Sequence, residues 1–366
     1  SPQWIYHFKM AYITLNRTKL KHNYDFLNAK FEQNNIEWGV VSKLLCGNRT
    51  FIEELIKLGT REIHDSRIGN LKVVKSINPD VQTVYIKPPA KKNILKIVKY
   101  ADVSFNTEYT TMQLLSKEAM RQGKVHKVII MIEMGDLREG VVGDHLLEFY
   151  EQVFELPNLE IVGLGTNLNC LNGVMPSPDK LVQLSLYKEL VETKFNKKIP
   201  WVSGGTSVTF PLLQRNLLPK GVNHFRIGET LYFGADLFTG GTVEGMQTDV
   251  FKLYAQIIEL TQKPKTPEGE LAENPSGEVF EIKQEDIGKT SYRAIVDIGL
   301  LEIAPDFLIP EEKGVTVIGA SSDMLVLDLG NSDRNYQVGD IVTFQMKYMG
   351  VLGVLNSDYI EKYVVE

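Results

Sequence analysis

The sequence predicts an α/β chain, an N-terminal (β/α)8 TIM-type barrel followed by a C-terminal all-β domain, and three observations lead there. Between Trp38 and Gly234 short β-rich runs alternate with longer segments of helical period. After Gly234 strand-like runs are separated by turns rather than helices. The length of 366 residues, with 43% hydrophobic content, suffices for two cores.

Taken in order, the first strand runs are WGVVS at 38–42, REIHDS at 61–66, VQTVYIK at 81–87 and DVSFN at 102–106. KVIIMIEM at 127–134, LEIVGLGTN at 159–167, IPWVSGG at 199–205 and HFRIG at 224–228 complete a set of eight. Between them FIEELIKLG, KNILKIVKY, EYTTMQLLSKEAMRQG and DKLVQLSLYKELVETKF each carry an apolar stripe near the helical period. Eight βα units imply a closed barrel, whose mid-strand residues form core and whose chemistry sits at the C-terminal strand ends. The opening AYITLNRTKLKHNYDFL reads as a short strand at 11–15 and an amphipathic helix. VFKLYAQIIELTQ, YRAIVDIG, GVTVIGAS, MLVLDLG and GDIVTFQMKY supply the later strands. KPKTPEGELAENPSGE at 263–278, rich in Pro, Gly and acidic residues, reads as a long exposed loop. The domains are set at 11–240 for the barrel and 241–366, with 1–10, for the β domain.

A net charge of −6 without a basic block disfavours nucleic acid and anionic membranes as partners, and points to a small molecule. No apolar run approaches the roughly 18 residues of a membrane span, and SPQWIYHFKM lacks a signal-peptide pattern, so a cytoplasmic location is expected. Cys46 and Cys170 form no CxxC pair and no His cluster has ligand spacing. Reduced thiols and no metal are therefore expected.

Four strand ends carry groups of chemical interest. WGVVSKLLCGN delivers Lys43 where the apolar run should give way to a loop; taken singly, a solvated lysine is the plainer reading. WVSGGTSVTF places glycines and hydroxyls, Ser203 to Ser207, ahead of a helix, either as a turn or as a cradle of N–H groups for an anion. In FRIGETLYFG, Arg226 alternates with Phe225 and Ile227 and needs an acceptor, a carboxylate or a ligand. Arg138 follows the fifth strand in MIEMGDLREG. Two arginines, one lysine and an anion cradle around one barrel mouth fit pyridoxal 5'-phosphate, whose aldehyde condenses with an amine and whose ring nitrogen needs a protein partner.

These motifs resemble those of the alanine racemase family, the fold-type III pyridoxal-phosphate enzymes, through nearly the whole chain. The resemblance implies that Lys43 in VVSKLLCG forms the imine with the cofactor and that Arg138, in a D-x-G-x-x-R-x-G-like segment, binds the substrate carboxylate. GLGTNLN resembles the stretch with a ring-stacking histidine, with Asn167 in its place. GTSV puts Ser207 at the phosphate-binding serine. FRIGETLYFG makes Arg226 the partner of the ring nitrogen and Gly228 a backbone phosphate donor, with Glu229 beside it. SSDMLVLD places Asp323 at the substrate entrance from the other subunit, with Ser322 where the family has methionine, and NSDYIEKY suggests Tyr359 as a phosphate-binding tyrosine. Within the family, SKLLCG, DSRIGNL, GLGTNLNC and GASSDM are most similar to the alanine/ornithine racemase-like branch.

The implied activity is two-base racemisation of an amino acid in a homodimer with shared active sites. Lys43 serves one face of the α-carbon. For the other, TSYRA around Tyr292 resembles the family's S-Y-G-A motif in letters but not in spacing. The family's interval before DIG at 297–299 lands near Phe280 and Glu281, where no tyrosine stands. A substrate with a second amine, such as ornithine or lysine, would meet Asp323 and Glu229; alanine is the other option. Two rival functions are a related decarboxylase, which needs a late cysteine where none follows Cys170, and a cofactor-carrying regulatory protein.

Overall fold

The computed structural model describes residues 10–366 and falls into two compact units, Thr18–Thr248 and Asp249–Glu366 with the described residues up to Arg17. Of the 1–10 segment assigned to the β domain, residues 1–9 lie outside the described residues.

After β1 (Tyr12–Asn16), the first unit runs α1 (Arg17–Gln33), β2 (Glu37–Val41), α2 (Arg49–Lys57), β3 (Glu62–Asp65), α3 (Ile68–Ile77), β4 (Gln82–Tyr85), α4 (Ile94–Tyr100) and β5 (Val103–Asn106). It continues with α5 (Tyr109–Arg121), β6 (His126–Met131), α6 (Leu146–Phe154), β7 (Leu159–Gly165), α7 (Pro178–Phe195), β8 (Trp201–Ser203), β9 (Gly205–Thr206), α8 (Phe210–Gln214), β10 (His224–Ile227) and α9 (Glu229–Phe233). The strands lie parallel in the order β8-β7-β6-β5-β4-β3-β2-β10-β9. Because β8 and β9 are two parts of one run interrupted at Gly204, the sheet nearly closes on itself. This is the barrel that the eight sequence runs predict.

Local chemistry explains the helix boundaries. Asn48 Oδ1 accepts from the Phe51 amide at 3.0 Å at the start of α2. Ser177 Oγ accepts from the Lys180 amide at 3.3 Å, with Pro178 at the first turn of α7, where its missing N–H costs nothing. Outside the sheet, Leu71, Ile97, Val98, Leu115 and Ala119 form an apolar layer with Tyr85. Inside, Val103, Phe105, Ile129, Met131 and Trp201 pack together. The interior also holds polar groups: Glu62 and His64 on β3, Ser203 on β8, and His224 and Arg226 on β10 are all buried. In each of β3 and β10 the pair is two residues apart, which puts both side chains on one strand face. Gly39 on β2 makes room for this, because a Cβ there would overlap the His64 ring.

The second unit is an antiparallel sheet of β11 (Phe251–Pro264), β12 (Thr290–Val296), β13 (Leu308–Pro310), β14 (Thr316–Ala320), β15 (Leu325–Asp328) and β16 (Ile341–Met346) in the order β13-β16-β11-β12-β15-β14. The α10 helix (Tyr348–Leu355) and β17 (Glu361–Val365) follow. β1, at the head of the 11–240 segment, pairs antiparallel with β11 and parallel with β17 in this unit. Strict alternation of buried and half-buried residues from Phe251 to Ile257 shows one face of β11 inward. The 263–278 stretch is mostly exposed, and irregular backbone extends beyond it, with Val279, Phe280 and Ile282 also exposed. Sequence patterning missed α10, whose run YMGVLGVL has no polar face to mark a helical period. Among the described residues no helix is long and apolar enough to cross a membrane.

Candidate active site

Strand β2 ends at Val41, and its last carbonyl accepts from the buried Tyr232 hydroxyl of α9 at 2.9 Å. Ser42 is fixed next: its amide donates to the His64 carbonyl at 2.8 Å and its hydroxyl to Asp65 Oδ2 at 2.8 Å. Asp65 accepts in turn from the Arg67 amide and Asn70 Nδ2. Burial pushes its carboxyl up against the pull of these donors. Lys43 then opens a single 3-10 turn, Lys43–Leu45, in which Leu44 and Leu45 are buried and Lys43 is exposed. The lysine therefore stands two residues past the strand on a backbone anchored before and after it.

Arg226 is 4% exposed on β10, with its guanidinium 5.2 Å from the centre of the Phe105 ring. One terminal nitrogen donates to the Ser203 carbonyl at 2.7 Å and to Ser203 Oγ at 2.5 Å. The other donates to the Thr166 carbonyl at 2.9 Å and to Asn167 Oδ1 at 2.6 Å. Four of the five guanidinium N–H groups are thus taken, and Nε–H is left without a protein acceptor among the described residues. Burial pushes this group down to about 10, so it stays charged at neutral pH.

Asn167 bridges two charged groups. Its Oδ1 faces Arg226 and its Nδ2 donates to Glu139 Oε1 at 2.6 Å, an orientation that a flipped amide could not keep because donor would meet donor. Glu139 also accepts from Arg138, whose Nε lies 2.6 Å and whose terminal nitrogen 3.2 Å from the carboxylate. Burial pushes the Glu139 carboxyl up, but the Arg138 and Asn167 donors outweigh it and hold it low. Arg138 and Arg226 are so joined through Glu139 and Asn167. The loop bearing Arg138 is held by Asp136, whose carboxylate accepts from the amides of Cys170, Leu171, Asn172 and Val174.

Ser207 is buried, with Oγ accepting from the Thr230 amide at 3.1 Å, and Gly228 directly precedes α9. Half-buried Glu229 opens that helix, and burial pushes its carboxyl up.

The structure thus gathers Lys43, Arg138, Asn167, Ser207, Arg226, Gly228 and Glu229 at the C-terminal strand ends of the barrel. Tyr292, Asp323 and Tyr359 belong to the other unit. Tyr292 is 57% exposed on β12, opposite Gln262. Tyr359 is 74% exposed in the turn before β17. Asp323 is exposed between β14 and β15, where Gly299 packs so closely against its backbone that a Cβ would meet the Asp323 amide at 2.5 Å.

Sequence reasoning missed Glu139 and the buried group of Glu62, His64 and His224, which bring one carboxylate oxygen and two ring nitrogens within 4.8 Å of one another. The expectation of no His cluster rested on linear spacing, and His64 and His224 come from strands far apart in the chain. Glu and His at alternate positions of REIHDS, on one face of a buried strand, were the available signal.

A barrel with a reachable lysine, a fixed buried guanidinium and hydroxyl and amide donors at one mouth is suited to an anionic carbonyl cofactor. Comparison with known proteins gives the class: the family described as alanine racemase, N-terminal domain, matches residues 15–236, and the chain belongs to the alanine racemase family. It is 37% identical to an ornithine racemase of Acetoanaerobium sticklandii over 351 residues, covering 96% of this chain and 98% of that one. A lysine racemase of Thermotoga maritima is 29% identical over 350 residues, 96% of this chain and 97% of the other. Among solved structures, an alanine racemase from Bartonella henselae with covalently bound pyridoxal phosphate shares the fold with TM-score 0.73 at 16% identity, covering 98% of this chain and 100% of that one.

Proposed function

We propose that the protein is a pyridoxal-phosphate-dependent racemase that interconverts the L and D forms of an amino acid, with ornithine or another basic amino acid as substrate. The observation that supports this most is the juxtaposition of Arg226, with one N–H left over, and the exposed Lys43 amine at the same strand ends. The donor set fits the cofactor: an amine for its aldehyde, a guanidinium N–H for its ring nitrogen, and Ser207 with the Gly228 backbone for its phosphate. When bound, pyridoxal phosphate supplies an electron-accepting ring that acidifies the α-proton of an attached amino acid.

The chain's own residues do the rest. Lys43 moves the α-proton on one face. Tyr292, from the β domain of a partner subunit, serves the other, so the working unit is a homodimer. Arg138 receives the substrate carboxylate and keeps its orientation from Glu139, whose grip on Nε leaves further guanidinium N–H groups to donate. Arg226 keeps its proton at working pH, so it would donate a hydrogen bond to the ring nitrogen of the bound cofactor without giving up the proton. Asp323 and Glu229 recognise a second amine, and Tyr359 joins Ser207 on the phosphate. Asn167 acts beside the cofactor through its bridge between Arg226 and Glu139. The enzyme works in the cytoplasm.

Incubation with pyridoxal phosphate and single L-amino acids, followed by chiral chromatography, tests the reading. D-ornithine or D-lysine is expected to accumulate toward an equal mixture. Formation of the decarboxylated diamine instead, or no D-isomer from any amino acid with cofactor-loaded protein, would overturn it.

A further inference from the structure

A buried cation is ordinarily satisfied by a carboxylate set directly against it, most often in a two-pronged pair. Arg226 is not. Its four occupied N–H groups meet two backbone carbonyls, a serine hydroxyl and an amide oxygen, all neutral. The carboxylates stand one or two residues further off: Glu139 beyond Asn167, and Glu62 beyond Ser203 and His224.

Arginine can only donate, so Ser203 Oγ accepts from Arg226; its second lone pair could take a proton from His224 Nδ1, but the hydroxyl hydrogen would then have no acceptor among the described residues, so it goes to His224 Nδ1 at 2.6 Å. His224 Nδ1 is then bare, its proton sits on Nε2, and Nε2–H donates to Glu62 Oε1 at 2.7 Å. His64 Nε2 donates to the same Glu62 oxygen. Trp201 stacks on His224 with ring centres 4.2 Å apart and fixes the plane of the imidazole. Burial pushes His64 down to about 4, leaving it neutral. Burial alone would push the Glu62 carboxyl up, but His224 and His64 outweigh it and hold it ionised.

We infer that His224 and Glu62 are positioning residues: through Ser203 they lock the Arg226 guanidinium so that its spare Nε–H is held toward the cofactor ring nitrogen, with the compensating negative charge kept at a distance. Neutral acceptors hold the geometry, while a carboxylate against the fork would neutralise the charge where the ring nitrogen needs it. The inference rests on the reading of Arg226 as ring-nitrogen partner.

Its test begins with cofactor-free protein carrying 15N-histidine, in which NMR should find His224 neutral, protonated at Nε2 and bare at Nδ1. With ring-15N pyridoxal phosphate bound, S203A and E62Q should move the ring-nitrogen signal toward that of a pyridine without a donor and weaken cofactor binding by about tenfold, the scale of one hydrogen bond to a charged group. His224 protonated at Nδ1 in the cofactor-free protein would overturn the chain, as would variants that leave both ring signal and affinity unchanged. So would a stoichiometric metal ion that E62Q removes, because these side chains would then be ligands. The tautomer measurement stands even if E62Q does not fold. It is also independent of turnover, so a protein that racemises nothing could still carry the chain, and a racemase could lack it.

Discussion

Replacing Asn167 separates hydrogen bonding from packing at the centre of the site. Its two 2.6 Å bonds, one from Arg226 and one to Glu139, each involve a charged partner, a class worth roughly 1.5–3 kcal/mol apiece. Leucine matches asparagine in size but can neither donate nor accept. Asn167→Leu therefore leaves a buried Arg226 N–H unpaired at the upper end of that range, while Glu139, still held by Arg138, loses an amount at the lower end. The expected loss of stability is about 3–5 kcal/mol. Asn167→Ala removes the same bonds but opens space on the scale of one water molecule, about 30 Å3, at a half-buried position from which water can bridge the two partners. Its expected cost is about 1–2 kcal/mol. Urea unfolding followed by tryptophan fluorescence measures both. An alanine variant as unstable as the leucine variant, or less stable, would refute the reasoning and make Asn167 a packing residue.

Three further outcomes follow from the same geometry. Arg138→Gln removes a fork that holds a carboxylate and should raise KM for the amino acid by about 10–100-fold with a smaller change in kcat, from a charge-assisted interaction of roughly 1.5–3 kcal/mol; steady-state kinetics that show kcat alone falling would contradict the substrate role. Because Arg138 and Asn167 hold the Glu139 carboxyl low in spite of burial, its contribution to stability is present above the unfolded value of about 4.3 and is lost as pH falls through the lower folded value. The stability gap between the protein and its Glu139→Gln variant should stay constant from about pH 8 to 5 and narrow below about 4.3, and a gap that widens with acid would have the wrong sign. Gly39→Ala drives a Cβ into the His64 ring and should cost about 1–3 kcal/mol by overpacking; a melting temperature equal to that of the parent protein would show that the imidazole can move aside.

The barrel was legible because buried parallel strands and their covering helices leave distinct periods, and all eight sequence runs correspond to observed strands or, at 199–205, to a strand broken at Gly204. Residues at strand ends were legible for the same reason: once the period locates the strand, Lys43 and Arg226 follow by counting. Glu139 was hidden because its partners Arg138 and Asn167 are brought together by loop geometry that Asp136 fixes across to residues 170–174. The Glu62–His64–His224 group was hidden because barrel closure, not spacing, joins β3 to β10 by way of β2. Sequence placed Asn167 where the family stacks a ring, while the structure shows its amide engaged edge-on by two charged side chains. In the second unit YMGVLGVL escaped because an all-apolar run has no polar face to reveal its turn.

Proton NMR in heavy water tests the central claim most directly, by following the α-proton signal of ornithine, lysine and alanine with cofactor-loaded protein and with its Lys43→Ala variant. The account predicts loss of the α-proton signal for a basic amino acid, with formation of the mirror-image isomer, and a rate lower by about 10²–10⁴-fold in the variant. Retention of the α-proton in every amino acid tried, or exchange at the same rate without Lys43, would contradict it.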